Sequence, residues 1–317
     1  MNELEVRELR YFIAVAEELN FSRAAGRLGM AQPPLSKAIA QMESRLGVRL
    51  LERTTRQVRL TNAGQVLLDQ ARIAVDAVHA AARRARRAGQ PTPRLVVAVK
   101  PAGDAGLLRE ILAAYRGTGS HLPPPEVVVG GSGEPIAMLR DGRADVALLR
   151  SPFDGQGLDC QTLVVEPRLA VLPAGHRLAG RRRLRLSDLK GEPIPRWQGA
   201  APRDTAYYTG YDGAEAGDGH AGSASADNTH EGPIVAGVEQ LLEVVALGQA
   251  VAFLARSTTE RHQRPDIVYR PVIGLSPSEV MVAWPETSRS AAVAAFVQAA
   301  HDVAAHHPDH MTGLAAY

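Results

Sequence analysis

Residues 20–60 read NFSRAAGRLGMAQPPLSKAIAQMESRLGVRLLERTTRQVRL, and their periodicity predicts two helices joined by a turn. A short helix is expected over 22–28, with Ser22 as its cap and Gly29 suited to its left-handed end. A second helix is expected over 32–46, with prolines tolerated in its first turn. It has apolar residues at helical spacing, at Leu35, Ile39, Met42 and Leu46. Two helices around a short turn that contains glycine make a helix-turn-helix.

The opposite face of the second helix is polar and suits contact with bases in the major groove of DNA. Glutamine pairs with adenine, lysine with guanine acceptors, and serine with either a base or a phosphate, while Pro33 is suited to a thymine methyl group. Taken singly, each residue also fits an ordinary solvated helix surface. The predicted DNA-binding residues are Ser22, Arg23, Gln32, Pro33, Ser36, Lys37, Gln41, Arg53, Thr55 and Arg56.

Residues 48–61 contain two runs of alternating apolar and polar residues around a polar turn, which predicts a β-hairpin wing. Arg53 and Arg56 lie near its tip, where a minor groove or its flanking phosphates would be in reach. Residues 19–60 carry eight basic and two acidic side chains, a net charge of +6, whereas the whole chain carries +2 and the remainder therefore −4. This imbalance favours binding to a polyanion, although arginines on solvated helices produce the same count.

Short motifs recur almost without gaps over about sixty residues: LRYF (9–12), AVAE (14–17), NFSRAA (20–25), QPPLS (32–36), LG (46–47), LER (51–53), Arg56, LT (60–61) and AG (63–64). Together they resemble the LysR-type transcriptional regulators. The resemblance implies a winged helix-turn-helix in which Gln32, Pro33, Ser36 and Lys37 read bases. It also implies that Arg53 and Arg56 act from the wing.

A further long helix is expected to run from Thr61 to about Arg87, with a narrow apolar seam at Val66, Leu67, Leu68, Ala71, Val75, Val78, Ala82 and Ala85. A narrow seam favours packing against a partner helix, either on the same chain or on a second copy. The resemblance implies that two subunits pair through this helix, in a dimer or a tetramer.

The rest of the chain alternates strands with helices, which predicts a parallel sheet. Strands are expected over 94–99, 126–129 and 144–149, and helices over 107–115 and 134–140. Ligands of such sheets bind beyond the carboxyl ends of the strands. That rule selects Lys100 and Arg150, together with the Gly131-Ser132-Gly133 turn.

Looser motifs resemble the effector domain of the same family, which is built like a periplasmic binding protein: GRADVAL (142–148), LPAGHRLA (172–179), LSDL (186–189), LGQAVAFL (247–254) and YRPV (269–272). They imply an α/β multidomain chain: winged helix-turn-helix 1–62, linker helix 63–88, hinge 89–93, effector domain 94–305 and tail 306–317. The effector domain would have one subdomain over about 94–164 and 269–305, and another over about 165–268.

The predicted effector-binding residues lie where these two subdomains would meet: Lys100, Pro101, Ser132, Arg150, Arg196, Trp197 and Phe253. Lys100 favours an anionic effector, or else pairs with Asp104 or Glu134. Ser132 either binds a carboxylate through its hydroxyl and neighbouring amides or simply caps a helix. Residues 207–232, rich in Gly and Ala, predict a long surface loop.

Other classes of protein find less support in the sequence. No G-x-S-x-G, P-loop, Rossmann or H-E-x-x-H motif occurs, so an enzyme is not predicted, and no cofactor is expected. The histidines and aspartates of 301–310 match no metal template. The single Cys160 excludes an intrachain disulfide. The sequence shows neither a signal-peptide pattern nor an apolar run long enough to span a bilayer. These features predict a cytoplasmic protein rather than a membrane protein or a secreted solute-binding protein.

The predicted partners are double-stranded DNA, a small-molecule effector, a second copy of the chain and, if the protein activates transcription, RNA polymerase. The alternative is a regulator controlled by protein contacts without a ligand.

Overall fold

The structure is a computed structural model that describes residues 4–53, 57–119, 121–200, 204–211 and 231–307. The chain divides into two units. The first comprises Met1–Pro91 with Arg140–Arg143, and the second comprises Thr92–Leu139 with Ala144–Tyr317.

The first unit contains four helices and a two-stranded hairpin among its described residues. The elements are α1 (Val6–Glu18), α2 (Phe21–Arg27), α3 (Gln32–Leu46), β1 (Leu51–Arg53), β2 (Val58–Leu60) and α4 (Asn62–Ala88). The strands pair antiparallel, with Leu51 opposite Leu60. Phe12 and Val15 of α1 are buried against Leu35, Ile39 and Met42 of α3, so the apolar stripe predicted for α3 is its core face.

The cap of α2 differs from the prediction. The helix begins at Phe21, and the side-chain oxygen of Asn20 accepts a hydrogen bond from the backbone N–H of Arg23 at 3.0 Å. Ser22 is therefore an exposed residue of the first turn, and its assignment as the cap is wrong. The reason is local: Asn20 has the extended backbone that a capping residue needs, one residue before the helix begins.

Replacing Asn20 with alanine should cost about 1 kcal/mol of local stability, because the N–H of Arg23 loses its acceptor. We expect faster amide hydrogen exchange in peptides from α2 and α3, measured by mass spectrometry. The matched control is Ser22→Ala, which should leave exchange almost unchanged. A larger effect from Ser22→Ala would contradict the observed cap.

Among its described residues, the second unit contains two larger sheets and one strand pair. Its strands are β3 (Leu95–Val99), β4 (Pro125–Val129), β5 (Val146–Arg150), β6 (Leu158–Glu166), β7 (Arg168–Pro173), β8 (Leu184–Arg185), β9 (Ile194–Trp197), β10 (Glu231–Val235), β11 (Ala252–Ala255), β12 (Ile267–Ile273) and β13 (Ser278–Pro285). Its helices are α5 (Leu108–Gly117), α6 (Glu134–Arg140), α7 (Thr205–Thr209), α8 (Val238–Ala246), α9 (Arg256–Arg261) and α10 (Ala291–Ala305), with a 3₁₀ turn at Leu186–Leu189.

The first sheet has the strand order β4-β3-β5-β13-β6 and is mixed rather than purely parallel. Strand β3 runs parallel to β4 and β5, as predicted, but β13 runs antiparallel to β5 and β6. The second sheet has the order β11-β7-β12-β8. Since β12 pairs with β7 there, the subdomain boundary predicted at about 269 falls inside a strand of the second sheet.

Residues 212–230, most of the predicted loop over 207–232, lie outside the described residues, which resume at β10. The predicted tail lies almost wholly outside them too. Among the described helices, none combines the length and the apolar character that crossing a membrane requires. Nor do the described residues bring three potential metal ligands together.

Candidate nucleic-acid interface and ligand cavity

Helix α3 presents most of the predicted base-reading residues on its solvent side. It begins at Gln32 after an extended Ala31, with proline in its first turn. Leu35, Ile39 and Met42 hold the opposite face in the core. The exposed positions are Gln32, Pro33, Lys37 and Gln41, while Ser36 is half-buried. Within the described ranges, no hydrogen bond or ion pair engages the ammonium of Lys37, so its charge is available to a ligand.

The acidic residue of α3 nearest the wing, Glu43, is committed to the fold. Its Oε1 accepts hydrogen bonds from the backbone N–H groups of Leu50 and Leu51 at 2.8 and 3.0 Å. Its Oε2 pairs with Arg53 at 3.0 Å. The carboxylate therefore joins the recognition helix to the wing, and its charge is largely compensated near the surface that a polyanion would meet.

Arg53 has a more structural setting than its predicted role in the wing. Besides Glu43, it lies 3.4 Å from the hydroxyl of Ser36, and its guanidinium carbon lies 4.6 Å from the ring centroid of Phe21. This side chain packs across α2 and α3. Arg23 is likewise paired, with Glu18 at 3.2 Å. Thr55 and Arg56, the other predicted wing residues, lie outside the described residues.

Helix α4 divides its apolar residues between two settings. Leu68, Ala71 and Val75 are buried on their own chain, the last two beside Leu9 of α1. By contrast, Val66 and Val78 from the predicted seam, together with Ile73, are exposed, Val66 by 65%. Part of the seam is thus packed within the chain, whereas Val66 and Ile73 lie exposed on one side of the helix and Val78 is exposed about a third of a turn away.

The second unit contains a cavity of about 160 Å³ beside the carboxyl ends of β3 and β5. Apolar and aromatic side chains make up much of its wall, with a few charged and polar groups. The lining residues are Lys100, Ser132, Gly133, Pro135, Ile136, Leu148, Leu149, Arg150, Pro152, Phe153, Asp154, Trp197, Gly199, Ala200, Asp204 and Tyr208. Few polar groups in a mainly apolar wall are typical of sites for small molecules.

Four of the seven predicted effector residues line this cavity: Lys100, Ser132, Arg150 and Trp197. The other three do not. Pro101 is exposed, Arg196 is exposed and pairs with Glu231 at 3.1 Å, and Phe253 is buried in the core of the second sheet. Neighbours in a strand point to opposite faces, which explains why Trp197 reaches the cavity and Arg196 does not.

Arg150 is anchored by groups from three other elements. Its guanidinium donates to Glu166 of β6 at 2.6 Å, Ser278 of β13 at 2.9 Å and Ser257 of α9 at 3.1 Å. Its third donor, Nε, is buried and has no hydrogen-bond partner within the described residues. A buried charged donor without an acceptor is costly, so this nitrogen lowers the stability of the arrangement.

Lys100 follows β3 and has no ion-pair or hydrogen-bond partner in the part of the chain that the structure describes. The two carboxylates that the sequence offers as partners are occupied: Asp104 pairs with Arg261 at 3.1 Å, and Glu134 accepts a hydrogen bond from the N–H of Gly131 at 2.5 Å. Burial, and secondarily the positive charge of Arg150, lower the pKa of Lys100 to about 8. The amine is therefore poised to change charge near neutral pH.

The sequence did not point to Tyr208 or Glu166 as parts of this site. Tyr208 packs beside Trp197, with ring centroids 5.7 Å apart, and burial raises its pKa to about 12, so it stays a neutral phenol. Tyr208 lies beside a glycine-rich stretch of sequence without clear periodicity, so no local sequence pattern identified it as a cavity residue. Glu166 ends a strand and meets Arg150 only through the pairing of β6 and β5 with β13.

Comparison with known proteins gives two family matches. Residues 6–65 match the bacterial regulatory helix-turn-helix protein, lysR family, and residues 88–305 match the LysR substrate binding domain. The chain is 38% identical over 207 residues to the uncharacterized HTH-type transcriptional regulator YnfL of Escherichia coli, covering 60% of this chain and 65% of the relative. It is 36% identical over 193 residues to the HTH-type transcriptional regulator AlsR of Bacillus subtilis, covering 60% and 63%.

These matches span a little under two thirds of the length of both relatives. Among solved structures, a mutant of full-length BenM superposes with a TM-score of 0.53 at 25% identity, covering 95% of this chain and 96% of that one. The two family matches together cover the helix-turn-helix and the whole described body of the second unit. The chain therefore belongs to the LysR family of bacterial transcriptional regulators.

Proposed function

We propose that this protein binds double-stranded DNA in a sequence-specific manner and regulates transcription in response to a small anionic ligand. In this proposal residues 1–62 read DNA, 63–88 join two copies, 89–93 act as a hinge and 94–305 bind the ligand. The observation that carries DNA binding is the exposed polar face of α3, whose Lys37 has no ion pair among the described residues. Such a regulator would act in the cytoplasm.

The proposal of an anionic ligand rests on the cavity. Within the described residues Lys100 has no hydrogen-bond or ion-pair partner, and the guanidinium of Arg150 lines the same cavity. A carboxylate can pair with both cations, and charge-assisted hydrogen bonds of this kind are among the stronger polar contacts. The aromatic side chains of Trp197 and Tyr208 suit the apolar part of such a ligand.

Self-association is supported by the uncovered apolar residues of α4. A second copy that packs against Val66 and Ile73, which share one side of the helix, would bury them and bring two reading helices onto one DNA. Two linked helix-turn-helix domains bind a two-fold DNA site more tightly than one domain, because the second contact becomes intramolecular.

The test of the function has a DNA arm and a ligand arm. The full-length chain is incubated with sheared genomic DNA of its source, bound fragments are sequenced, and their affinities are compared with random DNA over a salt series. We expect the selected fragments to bind more tightly than random DNA. Equal affinities for all fragments, which fall together as the salt concentration rises, would reject sequence-specific recognition. In the ligand arm, lactate, benzoate and other carboxylates are screened by thermal shift. If the protein distinguishes DNA sequences but binds none of the carboxylates, the result would favour control by protein contacts.

Ligand binding should weaken as the pH rises. Below about pH 8 Lys100 carries a positive charge that attracts a carboxylate, and above it the amine becomes neutral and that attraction is lost. We expect the Kd of the carboxylate that binds most tightly in the screen to rise between pH 7 and pH 9.5, measured by titration calorimetry. A Lys100→Arg variant stays charged and should show no such rise. Equal pH profiles for the two proteins would contradict this role of Lys100.

A further inference from the structure

Lys100 is held as an oriented amine rather than as a loose surface cation. Its aliphatic stem lies against the backbone of Gly103: a Cβ built on that glycine would stand 2.6 Å from Cγ and 3.4 Å from Cε of the lysine. The N–H of Gly103 also donates to the carbonyl of Lys100 at 3.0 Å. Only a residue without a side chain leaves room for this contact.

The turn that carries Lys100 has an unusual backbone. Ala102 and Ala105 both adopt positive φ angles, 57° and 49°, which residues with a Cβ rarely do. Backbone of this kind costs free energy and tends to cluster where a site needs a fixed geometry. Here the turn closes on itself, and the carboxylate of Asp104 is directed to Arg261 and to the N–H of Leu108 instead of to Lys100.

The chain contains three lysines, Lys37, Lys100 and Lys190, among 36 basic residues other than histidine. Arginine thus supplies nearly all of its permanent positive charge. An arginine in the cavity would bind an anion without ever losing its proton, whereas a lysine can become a neutral amine. At pH 7 roughly one in ten Lys100 side chains is neutral, against fewer than about one in a thousand for an ordinary lysine.

We propose that Lys100 forms a reversible imine with the carbonyl carbon of a small 2-oxo acid held in this cavity, with Arg150 as the partner of the acid's carboxylate. This inference rests on the proposed ligand-binding function and names its ligand class. A partly buried amine near a second cation is a known way to activate a lysine toward carbonyl groups, and Lys100 shares the cavity with Arg150. The cavity of about 160 Å³ is close to the roughly 150 Å³ that accommodates a benzene-sized molecule, so it admits 2-oxo acids of that size or smaller.

The chemistry balances without any further reactant. The lone pair of neutral Lys100 Nζ attacks the keto carbon, and the C=O π electrons move to oxygen. A proton passes from nitrogen to that oxygen and gives a carbinolamine. Loss of the hydroxyl group and one nitrogen proton as water then leaves a C=N bond, and added water reverses each step. No oxidant or reductant takes part, and the protein returns unchanged when the ligand leaves.

The experiment traps the imine on the full-length chain. The protein is incubated with glyoxylate, pyruvate or 2-oxobutyrate in the presence of sodium cyanoborohydride, which reduces C=N to a stable amine. Intact mass and peptide mapping then locate the adduct, whose mass is that of the 2-oxo acid less one oxygen atom. Lactate, which carries a hydroxyl in place of the carbonyl of pyruvate, is the matched ligand control, and Lys100→Arg and Lys190→Arg are the matched variants.

We expect one adduct per chain at Lys100 with at least one of the three acids, many-fold faster than at Lys190. It should form faster as the pH rises from 6 to 8, the opposite of the trend for a simple carboxylate. It should disappear in Lys100→Arg and persist in Lys190→Arg. Peptide mapping of the wild-type chain gives the same answer independently of how either variant folds.

Three outcomes would overturn the inference. Equal labelling of Lys100 and Lys190 would show that the amine of Lys100 is no more reactive than that of an exposed lysine. Absence of an adduct while lactate and the 2-oxo acids stabilise the chain equally in a thermal shift would leave the anion site standing without the imine. Absence of both an adduct and stabilisation would count against the ligand site as well.

Discussion

Replacing Glu166 with alanine should lower the free energy of unfolding of the second unit by about 3–5 kcal/mol, because it leaves the charge of Arg150 buried without its partner. The Glu166 side chain is 1% exposed and that of Arg150 is 8% exposed. Glu166 also accepts hydrogen bonds from the N–H of Ser257 at 2.6 Å and from its hydroxyl at 2.7 Å. One truncation therefore leaves three donors unsatisfied.

The loss of stability can be measured on the whole chain by urea unfolding monitored through tryptophan fluorescence, which reports on the second unit. Both tryptophans, Trp197 and Trp284, belong to that unit. The matched control is Glu260→Ala, because Glu260 pairs with Arg256 at 3.7 Å and its side chain is 66% exposed. Removal of this surface pair should cost less than about 1 kcal/mol.

A second variant separates the unpaired charge from simple loss of packing. In Arg150→Met with Glu166→Leu, both charges are replaced by apolar groups, and much of the lost stability should return. If Glu166→Ala and Glu260→Ala cost the same, the buried pair does not make the contribution assigned to it here.

Replacing Lys37 with alanine should weaken binding to a specific DNA fragment by about 1–3 kcal/mol, roughly fivefold to 150-fold, if its ammonium donates to a base. Lys37 is exposed on α3 and carries no ion pair within the described ranges, so its removal should leave the fold intact. Fluorescence anisotropy with a fragment recovered from the genomic selection, and with a shuffled version of it, measures the effect.

The matched control is Lys190→Ala, which removes the same charge from an exposed position in the second unit. It should change the affinity little. The ratio between specific and shuffled DNA distinguishes the roles of Lys37: a fall in that ratio indicates base readout, whereas equal losses on both fragments would make Lys37 a phosphate contact. No loss on either fragment would remove it from the interface.

The sequence by itself determined the recognition helix and its two faces. The spacing of Leu35, Ile39 and Met42 is a local property, since residues three and four apart share one side of a helix wherever the helix lies. The same holds for the left-handed glycine that ends α3, Gly47, and for the extent of α4. Motifs carried by such local patterns also made the family recognisable before any contact was known.

Only the tertiary structure decided which polar groups meet. Arg150 finds partners 16, 107 and 128 residues away, and Arg53 packs on Phe21 and Glu43 rather than projecting freely from the wing. Pairings of this kind depend on which side chains are buried together when distant strands and helices pack. Local sequence periodicity carries no information about such distant contacts. Apart from the half-buried Ser36, the exposed face of α3 could therefore be predicted from its spacing. The cavity, in which Lys100 has no partner among the described residues, required the fold.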